Sequence, residues 1–187
     1  MPIDLGVPKL QKDRFKFQVG ENKVRVLDLS TDWHIAHFSS TGSVQCGNDI
    51  FGEGPCKLCA DKKSRSAKKI AYLYDYASQK VVLAFLPKTI VNELQSLSEQ
   101  AEYDYSSFPM PYDIKVVHDP KAAAKDQYKT YAGRTNSPVN SEVTEDLEKR
   151  KPLDQIMESI RSKQSPAEET EDIGVIAEFQ AIKDNPE

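Results

Sequence analysis

The chain has 187 residues, 39% of them hydrophobic and 29% charged, with a formal net charge of −4. That length allows one core domain with appendages, or two small domains. No apolar run approaches the roughly 20 residues of a membrane-spanning helix, and "MPIDLGVPKLQKDR" lacks the basic-then-apolar order of a secretory signal, so a cytosolic protein with reduced cysteines is expected.

In chain order, "FKFQV" and "KVRVLDL" carry strand patterning, with Gly20 in "VGEN" as a turn signal between them. "DWHIAHF" predicts a third strand. "KIAYLYDYA" and "KVVLAFL" follow, separated by "SQ" in the manner of a hairpin. "PKTIVNELQSLSEQAE" predicts a helix. Pro87 can open its first turn, while Ile90, Val91, Leu94, Leu97 and Ala101 share one face. "YDIKVVHD" and "QYKTYAG" predict two more strands. Five to seven short strands with one helix between them make a mainly β protein, and suit a small Greek-key barrel such as an OB fold. Other strand-rich folds with one helix also fit.

Beyond Gly133 the chain turns polar, and "RTNSPVNSEVTEDLEKRK" is loop-like at its start. "PLDQIMESIRSK" then places Leu153, Ile156, Met157 and Ile160 at helical spacing. The final "QSPAEETEDIGVIAEFQAIKDNPE" is acidic and reads as disordered. Its Ile173, Ile176, Phe179 and Ile182 suit either a tail that folds onto partner proteins or a last helix packed on the body. The expected division is a body over 1–140, a linker or helix over 141–164 and an acidic tail over 165–187. Charge follows the same division. Residues 1–140 carry 19 Lys and Arg against 16 Asp and Glu, and residues 141–187 carry 6 against 13. A mildly basic body with an acidic end keeps nucleic acid open as a partner despite the overall charge.

All three cysteines and two of the three histidines fall within "HIAHFSSTGSVQCGNDIFGEGPCKLCA", residues 34–60. From His37 the spacing is H-x8-C-x9-C-x2-C, through Cys46, Cys56 and Cys59. Zinc prefers four soft or borderline ligands in a tetrahedron, and Cys3His is a common closed structural set. His34 competes for the fourth place. Three residues apart, the two histidines face opposite sides of a strand, and His37, nearer the loop, is preferred. A redox CxxC would leave Cys46 unexplained. A base deaminase needs Glu two residues after the ligand His, where this chain has Ala36 and Ser39. A fourth protein ligand would also close the position that a catalytic zinc keeps for water. With no acidic or nucleophilic constellation elsewhere, the expected role is one structural zinc ion in a protein that is not an enzyme.

The clip is followed by Lys57, Lys62, Lys63, Arg65, Lys68 and Lys69 against a single Asp61. Ile70, Tyr72, Tyr74 and Tyr76 then share one face of a strand. Trp33 and Phe38 on the neighbouring strand could extend it. Cations beside rings at strand period are what a groove for single-stranded nucleic acid requires, since cations neutralise phosphates and rings stack on unpaired bases. The plainer alternative is a solvated loop followed by half-buried tyrosines.

The motifs "IAHF…VQC…GPCKLC", the lysine-rich link, "KIAYLYDY", "KVVLAFLPKTIVNEL" and "YDIKVVHD" together resemble the zinc-containing single-stranded-DNA-binding proteins of tailed bacteriophages, over roughly residues 15–135. The resemblance implies an OB fold with an inserted structural zinc loop, whose ligands would be His37, Cys46, Cys56 and Cys59. It implies a DNA cleft near Tyr72 and Tyr74, and coating of single-stranded DNA during replication, recombination and repair in the cytoplasm of an infected bacterium. Phage or host replication and recombination proteins would be recruited through the acidic tail, with the protein a monomer or weakly self-associating. The shorter His-to-Cys gap and the weak basic N-terminal arm, in which Asp13 interrupts Lys9, Lys12 and Arg14, depart from the family pattern. A different class of reading is a zinc-ribbon-like adaptor that recruits replication or transcription proteins through its tail.

Overall fold

A computed structural model describes residues 14–39, 42–62, 64–103, 107–135 and 138–163; the expected acidic tail lies outside the described residues. Eight strands form one mixed sheet: β1 (Arg14–Phe15), β2 (Gly20–Leu29), β3 (His34–Ser39), β4 (Gly42–Gln45), β5 (Arg65–Asp75), β6 (Lys80–Pro87), β7 (Tyr112–His118) and β8 (Tyr128–Thr135). The order is β1-β6-β5-β2-β7-β8, with β3 beside β5 and β4 beyond β3. β1 and β6 run parallel and the remaining pairs antiparallel. The protein is mainly β, as expected. Hydrogen bonding among the described strands does not close the sheet into a barrel.

Alternation along the strands gives the sheet two apolar faces. Val24, Val26, Ala71, Leu73, Ala84, Leu86, Ile114 and Val116 point to one side, where they bury Ile90, Val91 and Leu94 of helix α2 (Lys88–Ser98). α1 (Lys57–Ala60) lies in the cysteine window. On the other side Leu27, Ile70, Tyr72 and Val81 meet Val143 of α3 (Ser141–Glu148) and Leu153, Ile156 and Met157 of α4 (Leu153–Lys163). The apolar stripe read in "PLDQIMESIRSK" is therefore the packed face of α4. Residues 141–163, expected as a linker or helix, cover part of the sheet's second face.

Element boundaries differ from expectation for local reasons. "FKFQV" contributes only Phe15 to the sheet, paired in β1 with the Arg14 that precedes it. Gly20 is the first residue of β2, at φ +93°, a conformation glycine adopts without steric cost. The Asn22 side chain clips the bend before it, accepting from the Gln18 N–H and donating to the Gln18 carbonyl, both at 2.8 Å. Pro87 occupies the N-cap rather than the first turn of α2, and Ala101 is exposed in the 3-10 turn that follows (Ala101–Tyr103). α3 begins inside the stretch read as polar and loop-like. Asn140 caps it by accepting from the Glu142 N–H at 3.2 Å. Val143 is its one fully buried residue, so its hydrophobic period is weak.

The Tyr72 hydroxyl donates to the Lys151 carbonyl at 2.9 Å, tying the sheet to the α3–α4 connection. Tyr72→Phe should cost about 0.5–1.5 kcal/mol, read as a melting temperature a few degrees lower. An unchanged melt would mean that this bond contributes nothing to the docking.

Candidate metal centre

β3 pairs with β4 on one edge and with the start of β5 on the other, so residues 34–68 form a folded excursion between β2 and β5. His37 is the last described side chain of β3, Cys46 follows β4, Cys56 sits at the N-cap of α1 and Cys59 lies within α1. Their four ligand atoms lie within 4.8 Å of one another. The His37 Nε2 is 3.4 Å from both the Cys56 and Cys59 sulfurs, and the Cys46 and Cys59 sulfurs are 3.5 Å apart. Bond lengths of ~2.3 Å for Zn–S and ~2.0–2.1 Å for Zn–N imply tetrahedral edges of about 3.8 Å and 3.6 Å. These three separations fall just inside those edges, and the donor set is that of a closed structural zinc site. The cluster is consistent with one structural metal ion, as expected.

The surroundings orient the ligands. The His37 Nδ1–H donates to the Ser64 carbonyl at 3.1 Å, which turns Nε2 towards the sulfurs and sets the tautomer. His34, the competing candidate, is buried on the opposite side of β3 with its ring against Phe85 at 5.8 Å. Burial first, and then the nearby charges of Arg14, Lys68 and Arg161, hold its pKa down. Burial opposes ionisation of the Cys56 thiol, yet N–H groups of Gly47 and Cys59, with His37 and Cys46, outweigh it and bring the pKa to about 6. Burial, then the other two thiols, push Cys59 up to about 11. One thiolate thus forms readily and repels the next, a repulsion that a dication removes.

The loop between Cys46 and Cys56 is built from polar clips. Asn48, nearly buried, donates to the Gly52 carbonyl at 2.7 Å and accepts from the Cys56 N–H at 2.8 Å. The Asp49 carboxylate accepts from the N–H groups of Phe51, Gly52 and Glu53, each at 2.9 Å. Gly54 lies at φ +138°, and a Cβ there would meet the Gly47 carbonyl oxygen at 2.8 Å, so no other residue fits without a shift. The sequence carries signals for both clips, in "GNDIFGEG", but which groups they bond becomes visible only in three dimensions.

The residues expected to touch nucleic acid are not brought together on one exposed surface. Arg65 is committed to the metal loop, donating to the Asp49 and Ile50 carbonyls at 2.8 and 3.1 Å. Lys69 donates to the Ser30 and Thr31 carbonyls, both at 2.8 Å. Lys68 is half-buried. Lys62 is exposed just after α1, at φ +56°. Lys63 and the Phe38 side chain lie outside the described residues. Tyr72 is 5% exposed beneath the C-terminal helices, which corrects its expected role as an open stacking surface. Tyr74 and Tyr76 are half-buried, in edge-to-face contact at 4.9 Å. Trp33 is half-buried against the α2-side core, with the Lys69 ammonium 5.6 Å from its ring centre. β5 begins at Arg65, so the second half of the basic run is strand, and its Arg65 and Lys69 are engaged by backbone carbonyls.

No protein-family model matches the chain, and no curated protein matches it. Among the described residues no helix is long and apolar enough to cross a membrane.

Proposed function

We propose that the chain is a non-enzymatic single-stranded-DNA-binding protein on an OB-like frame with a zinc-held excursion. One observation carries this reading, the connectivity of the sheet. β2 lies between β5 and β7, β6 lies beyond β5, β8 lies beyond β7, and α2 connects β6 to β7. That order, with the helix between the third and fourth of these five strands, supports a partly open Greek-key barrel. α2 packs against β5, β6 and β8, and so touches both ends of that strand order. The Cys3His excursion is inserted between β2 and β5, where the resemblance places a zinc loop.

Binding by phosphate neutralisation and base stacking falls steeply with salt and tolerates most sequences. Duplex DNA, whose bases are already stacked on one another, binds far more weakly. In a phage such a protein would protect and present DNA during replication, recombination and repair, and the acidic tail would recruit partner proteins. Titrating the fluorescence of Trp33 and the tyrosines with oligo-dT and with duplex is the test. Tight oligo-dT binding against weak duplex binding supports the reading; equal affinity, or none for either, rejects it.

The adaptor reading has one observation in its favour. Phe51, at the tip of the metal loop, is 85% exposed. A rigidly held aromatic knob suits a protein surface as well as a base. An adaptor would keep its partner and show no affinity for oligo-dT.

A further inference from the structure

α3 and α4 cover β5, β6 and Leu27 of β2 on the outer side of the sheet, and among the described residues they leave uncovered the start of β2 around Lys23 together with β7 and β8. Strand register brings four residues into line there. The Tyr76 N–H donates to the Lys23 carbonyl at 3.3 Å, Lys23 pairs with Lys115 across β2–β7, and Lys115 pairs with Tyr131 across β7–β8. At ~4.8 Å per strand the row Tyr76–Lys23–Lys115–Tyr131 spans about 14 Å. Each ring has a cation over it, Lys23 at 4.2 Å from the centre of Tyr76 and Lys115 at 5.5 Å from that of Tyr131.

Like charges directly opposite each other destabilise an antiparallel pair, so the facing lysines are unfavourable for the sheet alone. Their acidic neighbours offset them in part. Asp113 lies 3.1 Å from Lys23, but its charge is already matched by Arg25 at 2.6 Å. Glu21 meets Lys115 at 2.9 Å, with both side chains well exposed. Such a surface pair is weak enough to yield to a phosphate. Lys129, exposed two residues before Tyr131 on the same face of β8, adds another cation. At the other end a crevice of ≈ 190 Å³ between the sheet and residues 138–143 is lined by Arg25, Tyr74 and Tyr76.

We propose that single-stranded nucleic acid crosses the sheet along this row, with bases stacked on Tyr131 and Tyr76 and phosphates on Lys115 and Lys23. This rests on the single-strand-binding reading above, but moves the contact from the basic run at 57–69 to β2, β7 and β8. To bind, Lys23 and Lys115 swing off the rings they cover and onto phosphates, freeing the ring faces for bases.

Anisotropy of labelled oligo-dT and oligo-U, measured over a salt series, tests the assignment. Lys23→Gln and Lys115→Gln should each lower the slope of log K against log salt by about 0.7. Tyr131→Ala should weaken binding roughly tenfold, while Tyr131→Phe, which keeps the ring, should bind like the parent. Lys23, Lys115 and Tyr131 are about half exposed, so these variants should stay folded, with melts within a few degrees of the parent's. Preference for either oligonucleotide, with the same variant losses, supports the row and names the natural strand. Parent binding with unaltered affinity and slope in the variants overturns the row alone. An equal slope loss in Lys88→Gln, on α2, also overturns it, by showing that any lysine contributes alike. A parent protein that binds neither oligonucleotide rejects the single-strand reading itself.

Discussion

Exhaustive chelation should remove one zinc ion per chain and lower the melting temperature by about 10–20 °C. Structural zinc contributes on the order of 10 kcal/mol of apparent binding free energy in small zinc domains, and where the site exists only in the folded state that energy is folding energy. A net loss of about 5 kcal/mol, at ~2–4 °C per kcal/mol for a chain of this size, gives the stated range. Apart from its polar clips, the loop has little apolar burial to hold it. Gly47, Asp49 and residues 51–55 are exposed, and Cys46 and Asn48 are the buried members between β4 and α1. Single changes of Cys46, Cys56 or Cys59 to Ser, or His37→Ala, should reproduce most of the loss and abolish stoichiometric metal. His34→Ala should keep the metal, because its ring faces Phe85 and not the sulfurs. Elemental analysis with thermal melts decides the matter, and a metal-free protein with an unchanged melt after chelation would refute the site.

Asp113→Asn should cost about 3–5 kcal/mol, a melting temperature lower by about 10 °C. Arg25 is 2% exposed, and its guanidinium reaches Asp113 Oδ1 at 2.7 Å through Nε and 2.6 Å through Nη2. The same carboxylate accepts from the Tyr76 hydroxyl and faces Lys23. The register shifts opposite Asp113, where β8 carries one extra residue between Ala132 and Thr135, and Gly133 allows the close approach, since a Cβ on it would lie 2.9 Å from the Asp113 carbonyl oxygen. Losing the carboxylate leaves a buried cation without its counter-charge.

Acid should expose the same dependence. Burial works against the Asp113 carboxylate, but Tyr76, Lys23 and Arg25 together outweigh it and hold its pKa below the usual carboxylate value. With the folded pKa depressed, its stabilisation is complete above the unfolded pKa of ~3.9 and drains away as pH falls through the folded value. Melting temperature against pH should therefore fall more steeply below about pH 4 in the parent than in Asp113→Asn. An Asn variant as stable as the parent at neutral pH would show that Arg25 finds its compensation elsewhere.

The metal ligands and most elements were legible in the sequence because the physics that sets them is local. Cysteine and histidine spacing within one window names the ligands, and the alternation of β3 separates His37 from His34. Period-two and helical patterns marked β2, β3 and β5 to β8, the buried face of α2 and that of α4, whereas the short polar β4 carries no such pattern and "FKFQV" is strand only at Phe15. Tertiary structure decided which face each pattern would meet. Tyr72 reads as an open ring on its strand, yet α4, some 80 residues later, covers it. Arg65 and Lys69 read as free cations, yet carbonyls of the loops before them accept their hydrogen bonds. Lys23, Tyr76, Lys115 and Tyr131 share no spacing, and they meet because three strand pairings set their register. Short-range periodicity specifies which side of an element is apolar or charged, but coverage and register depend on contacts between distant segments, and no local pattern encodes those.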